Sequence, residues 1–273
     1  MQMMLTSEQR ELISCINGYR LGEAPASMLT QANLCVRTEL LGMTPFHLAA
    51  QTGQLSLIPG PLLGQNLGLE DQCGRTVAHV AATAGYIYQL SPDMLTEEVM
   101  FRYAGGTGYF PVGCAALHGF LKQVPARLLT QQNLRYECPS TGWNLLHFAA
   151  KGRSLKQVPR DLLSDSNLRQ LNPRCGSVLH VAASAGCLDQ VPSDVLHYEN
   201  LLLPDEKGAT PASLAVEHGN IDQIPGPVIM ECVRRTHGKR TLASSLRSMA
   251  IWRLIERSEP DLAQHILARQ AEA

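Results

Sequence analysis

Gly74-Arg75-Thr76-Val77-Ala78-His79-Val80-Ala81-Ala82-Thr83-Ala84-Gly85 decides the fold, because the chain repeats it. Earlier it reads Gly42-Met-Thr-Pro-Phe-His47-Leu-Ala-Ala-Gln-Thr-Gly53, and later Gly142-Trp-Asn-Leu-Leu-His147-Phe-Ala-Ala. A form one residue shorter at its start is Gly176-Ser-Val-Leu-His180-Val-Ala-Ala-Ser-Ala-Gly186. Two weaker copies run from Gly108 to Gly119 and from Gly208 to Gly219. The aligned position falls at 47, 79, 113, 147, 180 and 213, at intervals of 32, 34, 34, 33 and 33. A second landmark keeps the same period: Pro25, Pro59, Pro92, Pro125, Pro159, Pro192 and Pro225, each followed by paired aliphatics. Two landmarks in register over some 200 residues mark an internal repeat, not a single globular core.

Each unit has a physical reading. Thr-Pro before His-x-Ala-Ala starts a helix, because Thr caps and Pro tolerates the first turn, where its missing N–H has no partner to lose. The Ala-Ala pairs give a small face on which neighbouring helices approach closely. Gly53, Gly85, Gly119, Gly186 and Gly219 stop the helix, as a left-handed C-terminal position requires. A short segment such as Leu121-Lys-Gln-Val-Pro125 follows, extended before its proline. The proline then opens a second short helix, Pro125 to Leu134, and a polar loop such as Glu70 to Gly74 leads into the next unit.

The phrase G-x-T-P-x-H-x-A-A-x-x-G at a 33-residue period resembles the ankyrin repeat, over roughly residues 8 to 225. The resemblance implies an all-α fold: an ankyrin-type helical repeat solenoid of about seven to eight units, with short loops or β-turn tips between helix pairs. The chain departs from that family by placing a Pro in the second helix of every unit, within D/K-Q-V/I-P-x-x-L-L-T/S-x-x-N-L. That phrase resembles a proline-containing variant of bacterial ankyrin-like proteins. The expected organisation is an N-terminal capping unit over 1–41, six repeats over 42–240, and a C-terminal helical cap or diverged repeat over 241–273. Thr6-Ser-Glu-Gln9 predicts a capping box opening a helix from about Ser7 to Asn17. Leu242 to Glu256 and Pro260 to Ala271 read as two amphipathic helices.

Composition suits this reading. Apolar residues make up 45% and aromatics only 5%, so the core is built from Leu, Ala, Val and Ile in thin helical layers. The net charge is −1, which demands no polyanion partner. Six Lys or Arg and no acidic residue lie between Cys232 and Ile255 (Arg234, Arg235, Lys239, Arg240, Arg247, Arg253), leaving the remainder at −7. The eight Cys are scattered, with no C-x-x-C pair, which argues for free thiols and against zinc or a disulfide scaffold. No signal peptide and no span of about 20 apolar residues is present, so the expected location is the cytoplasm, without a membrane. A host-directed effector would need a delivery route that the sequence does not display.

Four candidate chemistries are weighed against plainer roles. His47, His79, His147 and His180 stand one per unit, in layers about 10 Å apart. They are too far apart for a metal or acid–base site, so they are read as structural, tying cap to helix. The periodic prolines are structural too. Gly105-Gly-Thr-Gly108 lacks the G-K-[ST] ending of a phosphate loop. Seven of the 14 aromatics (Tyr86, Tyr88, Phe101, Tyr103, Tyr109, Phe110 and Phe120) crowd into a unit that has lost its His to Gly113. Interfaces favour Tyr, Trp, Phe and Arg. Phe101, Tyr103, Tyr109 and Phe110, with Arg75, Trp143 and Arg174, are therefore the candidate partner-binding residues; the competing role for the aromatics is filling gaps in a degenerate repeat.

In repeat stacks the partner surface is the concave side. The matching positions (Gln51, Thr52, Gln72, Arg75, Thr83, Ser140, Trp143, Lys151, Arg174, Ser184, Lys207, Glu217) are chemically mixed, which argues for one shaped protein surface. The expectation is a protein–protein interaction module (an adaptor, inhibitor or effector) and not an enzyme, with no cofactor, metal or small-molecule ligand. The alternatives are an enzyme, or a nucleic-acid-contacting protein, using the aromatic unit 101–120 or the basic segment 234–253.

Overall fold

The computed structural model describes residues 5–39, 41–226, 228, 229 and 264. Gln264 excepted, the expected C-terminal helices and the basic segment 234–253 lie outside the described residues. The described residues are mainly helical, with two isolated β-bridges (Glu70 to Thr76 and Asn172 to Gly176) and no strand among them. The chain forms two compact units, Met1–Ser140 and Thr141–Ala273.

The first unit holds α1 (Ser7–Asn17), α2 (Gln31–Leu34), α3 (Pro45–Thr52), α4 (Gly60–Asn66), α5 (Val77–Ala84), α6 (Glu97–Met100) and α7 (Pro111–Leu117). Helix α1 packs on α3, α3 on α5, and α5 on α7. The second unit holds α8 (Leu145–Lys151), α9 (Asp165–Arg169), α10 (Val178–Ala185), α11 (Tyr198–Leu201) and α12 (Pro211–Glu217). There α8 packs on α10 and α10 on α12. The alanine pairs 49–50, 81–82 and 115–116, and in the second unit 149–150 and 182–183, are fully buried between these helices. A larger side chain there would force the backbones apart.

The predicted capping box at Thr6 is present and opens α1 at Ser7. The outer face of α1 is polar and exposed (Glu8, Arg10, Glu11, Ser14), while Leu12 and Ile16 are buried against α3 and its neighbours. The helix stops also follow the pattern: Gly53, Gly85, Gly119, Gly186 and Gly219 all have φ between 71° and 81°. Tyr19 and Arg153 occupy the aligned positions with φ of 58° and 54°. A non-glycine residue is strained in this region. Arg153 is anchored by its Nε, which donates to the Ala185 carbonyl at the end of α10.

The second helix of each unit departs from expectation. Pro125 to Leu134 is not one helix: a 3-10 turn, Ala126–Leu128, is followed by a break at Leu129 and a second short turn, Gln131–Arg135. The cause is a competing cap. Thr130 Oγ accepts the Asn133 N–H, and Thr30, Thr96 and Ser164 do the same in their segments. A hydroxyl that caps a new start ends the preceding turn. The carbonyl left over is taken by an asparagine amide: Asn33 Nδ2 donates to Met28, Asn133 to Leu128 and Asn167 to Leu162. Gly64 stands where the threonines stand elsewhere, no cap competes, and α4 runs unbroken from Gly60 to Asn66.

Before Pro92, Pro125 and Pro225 a 3-10 turn presents a glutamine that reaches back one segment, whereas the turns before Pro25 and Pro59 end in Glu23 and Leu57. Gln89 Nε2 donates to the Gly53 carbonyl at 2.6 Å and Gln123 Nε2 to Gly85 at 2.8 Å; in the second unit Gln223 Nε2 reaches Gly186 at 3.0 Å. Gln123 Oε1 also accepts the Tyr88 N–H, and Gln223 Oε1 the Leu188 N–H. The helix-ending glycine is thus bonded by its successor. It is covered as well: a Cβ on Gly85 would lie 2.7 Å from the Phe120 ring, and one on Gly53 2.7 Å from Tyr86.

Gly85→Ala should therefore cost more than the roughly 1–2 kcal/mol of a left-handed alanine. In a Phe120→Ala background that cost should fall to the backbone component alone. Urea unfolding of the two single variants and the double variant measures the coupling. Strict additivity would show that the ring and the glycine do not meet.

Candidate functional site

The inner helices α3, α5, α8 and α10 each begin with a closed circuit between a cap residue and a histidine, whereas α7 has none. Thr76 Oγ1 lies 2.7 Å from His79 Nδ1, the Thr76 N–H donates to the same Nδ1 at 3.1 Å, and the His79 N–H donates to Thr76 Oγ1. A backbone N–H only donates, so Nδ1 must accept and the ring proton sits on Nε2. That Nε2–H points out of the circuit and donates to the Tyr109 carbonyl at 3.0 Å, in the loop before α7. His47 repeats the pattern with Thr44 and the Arg75 carbonyl, and His180 with Ser177 and the Ala209 carbonyl. His147 has the circuit with Asn144, and the Gly176 backbone lies close to it, but its buried Nε2 completes no hydrogen bond. Burial keeps all four rings neutral and pushes His79 and His147 down to about 4.

The loops entering the inner helices carry the candidate residues. In the first unit Asp71 Oδ1 accepts the N–H groups of Cys73 and Arg75, at 2.8 and 2.9 Å. Its Oδ2 takes Arg75 Nε at 2.8 Å and Nη2 at 2.7 Å. Burial opposes ionisation of Asp71, but these bonds hold its carboxyl below the usual range. The next loop lies on this one, with the Gly106 N–H donating to the Cys73 carbonyl at 3.0 Å and Gly105 to Gly74 at 3.3 Å. The contact accounts for Gly106, where a Cβ would come 3.0 Å from the Cys73 carbonyl.

The aromatic cluster divides. Phe101 and Phe110 are buried, which corrects the expectation that their rings meet a partner. Phe101 stacks on Tyr136 with centroids 4.4 Å apart and tilts against Phe110 at 5.5 Å. These rings fill the interior of the unit that lacks a histidine. Tyr86 and Phe120 cover Gly53 and Gly85. Tyr103 remains at the surface, 38% exposed, its ring held edge-on to Phe110 at 6.0 Å. Tyr109 is half-buried beside it in the loop, and burial raises both phenols above their ordinary value. Arg75, Tyr103 and Tyr109 therefore share the loop-tip side of the first unit. In the second unit Trp143 is half-buried and edge-on to Phe148 at 5.4 Å, and Arg174 is exposed.

The inner-face hydroxyls are partly committed: Thr52, Thr83 and Ser184 donate to the carbonyls of Leu48, His79 and His180. One exposed apolar set escaped the sequence reading. Tyr88 (63% exposed), Leu57 and Tyr19 lie on the turns at the other end of the inner helices. The period marks those turns, but not which of their side chains point outward.

None of the seven described cysteines forms a disulfide. Burial pushes the Cys114 thiol up to about 11 and Cys187 to about 12, which keeps both protonated and unreactive at neutral pH. No group of three or more His, Cys, Asp or Glu among the described residues is placed to hold a metal ion. No described helix is long and apolar enough to cross a membrane. No family model matches the chain, and no curated protein matches it either.

The core and surface assignments separate by stability. Phe110→Ala should cost about 3–5 kcal/mol, as a buried ring does. Tyr103→Ala should cost under about 1 kcal/mol, as a surface change does. Chemical denaturation of the two variants measures this; equal costs would contradict the division.

Proposed function

We propose that the chain is an ankyrin-type repeat array of about seven to eight units, and that it binds another protein through its inner-helix and loop-tip side. The array reading is supported by the 33-residue period and by the recurrence of capped inner helix, left-handed stop, 3-10 turn and asparagine-closed outer turn. Such an array adds contact area layer by layer without rebuilding a core. Within the first unit the anchor is the loop carrying Tyr103 and Tyr109, next to Arg75.

One observation carries the binding reading. Tyr103 is exposed yet held by its edge-on contact with a buried phenylalanine. A tyrosine fixed in this way offers a large amphipathic surface and loses little conformational freedom when a partner covers it. Catalysis has less support. The four aligned histidines are consumed in capping, the thiols of Cys114 and Cys187 are protonated, and the Asp71 carboxylate is bound to Arg75 and to its own turn. A nucleic-acid contact would fall to the segment 234–253.

The test is an affinity capture from lysate of the native cell, with wild type, Tyr103→Ala/Tyr109→Ala and Tyr88→Ala run in parallel. The expected result is a protein held by wild type and Tyr88→Ala and weakened at least about tenfold by the double variant, since interface tyrosines commonly contribute more than 1 kcal/mol each. Far-UV circular dichroism should show unchanged helicity. Loss on Tyr88→Ala alone would move the site to the turn side, against this assignment.

A further inference from the structure

We propose that His79 is a proton-operated latch on the 101–109 loop: its neutral ring holds the loop through the Tyr109 carbonyl, and protonation releases it. That the loop binds a partner is the reading above; the latch itself rests on the hydrogen-bond geometry of the ring, and its pH window on the burial of that ring.

The ring is clamped on both nitrogens. Nε2–H donates to the Tyr109 carbonyl, which also accepts the Ala104 N–H at 2.7 Å and so closes the loop on itself. Nδ1 accepts the Thr76 N–H. A hydroxyl can turn to accommodate a second donor, but a backbone N–H cannot. A proton on Nδ1 would set N–H against N–H inside a nearly fully buried cap. The imidazolium is accommodated only if the ring leaves this position, and leaving takes Nε2 away from Tyr109.

The charges around the ring do not rescue the cation. Asp71, on the loop entering α5, favours it but is already bound to Arg75; the Arg102 backbone, on the loop entering α7, also favours it while the Arg102 guanidinium opposes it, and burial outweighs them all. Helix α3 carries His47, whose ring is engaged with Thr44 and the Arg75 carbonyl. Helix α7 carries Gly113 at the aligned position and the protonated Cys114 beside it, with His118 only at its far end. The phenols of Tyr103 and Tyr109 are neutral.

The direction of the pH effect follows. In the closed loop the ring binds its second proton only near pH 4, whereas a freed ring binds it near 6.5. Opening therefore takes up a proton in that window, and the closed loop loses stability as pH falls from about 6.5 towards about 4. Between pH 7.5 and 5.0 these two values raise the opening equilibrium about 30-fold.

Hydrogen exchange of the full chain at pH 7.5 and 5.0, corrected for intrinsic rates, reads this directly. Protection of the Ala104 and Gly108 amides, both bonded within the loop, should fall about 30-fold relative to amides of 126–135, which bond no imidazole. His79→Gln should abolish the difference, because glutamine at this helical position can still reach back to the cap but does not titrate. An equal fall in both sets would mean global unfolding and overturn the latch; so would no fall at all. Should the variant fail to fold, imidazole nitrogen NMR of the wild type decides. His79 must appear as the Nε2–H tautomer and stay neutral to below pH 5, and titration near 6.5 in the closed loop would refute the proposal. No partner enters either experiment, so a failed latch and a failed binding surface give different results.

Discussion

A helix of seven or eight residues does not hold itself together in water, because nucleation costs more than so few turns return. Every inner helix from α3 onward is of this length. The structure therefore depends on fixing each one at both ends and burying it between neighbours. In α3, α5, α8 and α10 the front end is fixed by the cap–His circuit, which satisfies early N–H groups and orients a ring, and in α12 by Thr210 and Ser213. The back end is fixed by a left-handed residue, and the Ala-Ala face permits close approach of the adjoining helices. In α3, α5 and α10 the imidazole couples these tasks, since its second nitrogen bonds a carbonyl in the next segment.

Polar side chains rather than apolar ones tie the remaining pieces. The outer turns are too short to be regular helices, so their backbone groups need partners from elsewhere. Asn33, Asn133 and Asn167 close the carbonyl at their breaks, and Gln89, Gln123 and Gln223 close the carbonyl of the preceding glycine stop. Ion pairs between neighbouring outer turns, such as Arg102–Glu70 and Arg135–Glu97, are exposed and add little. Among the described residues two buried side-chain atoms are left over, His147 Nε2 and Asn200 Oδ1. Each costs the desolvation of an unpaired polar group. Asn200 retains its role nonetheless, with Nδ2 donating to the Val195 carbonyl and bonding Asp165.

The inner helices were legible because their signals are local. Cap, proline, alanine pair and glycine all act within a dozen residues, and the capping box at Thr6 placed α1 to the residue. The outer turns were not. The same Thr-x-x-Asn phrase that looks like the middle of a helix turns out to start a new one, a competition that the proline periodicity does not reveal. The glutamine was visible in the repeated phrase, but its partner lies more than 30 residues away, beyond any local window. Phe101 and Phe110 show the same limit for the candidate site. Aromatic density marked the loop as a candidate, but the direction of each ring depends on the space left where a histidine is missing.

That missing histidine links scaffold to site. Position 113 is glycine, so the segment containing it cannot build an imidazole circuit of its own. Its interior is filled instead by Phe101, Phe110 and Tyr136, and its entry loop is held by His79 from the segment before. The rings that replaced the circuit also pin Tyr103 at the surface. An exposed tyrosine on an untethered loop would lose much of its binding energy to ordering; here the ordering is done by the core beneath it and by a single buried hydrogen bond. The same substitution that degrades the repeat thus makes the loop rigid from below and leaves it dependent on its neighbour from the side. That dependence is why a titratable group in one segment can govern a surface presented by the next.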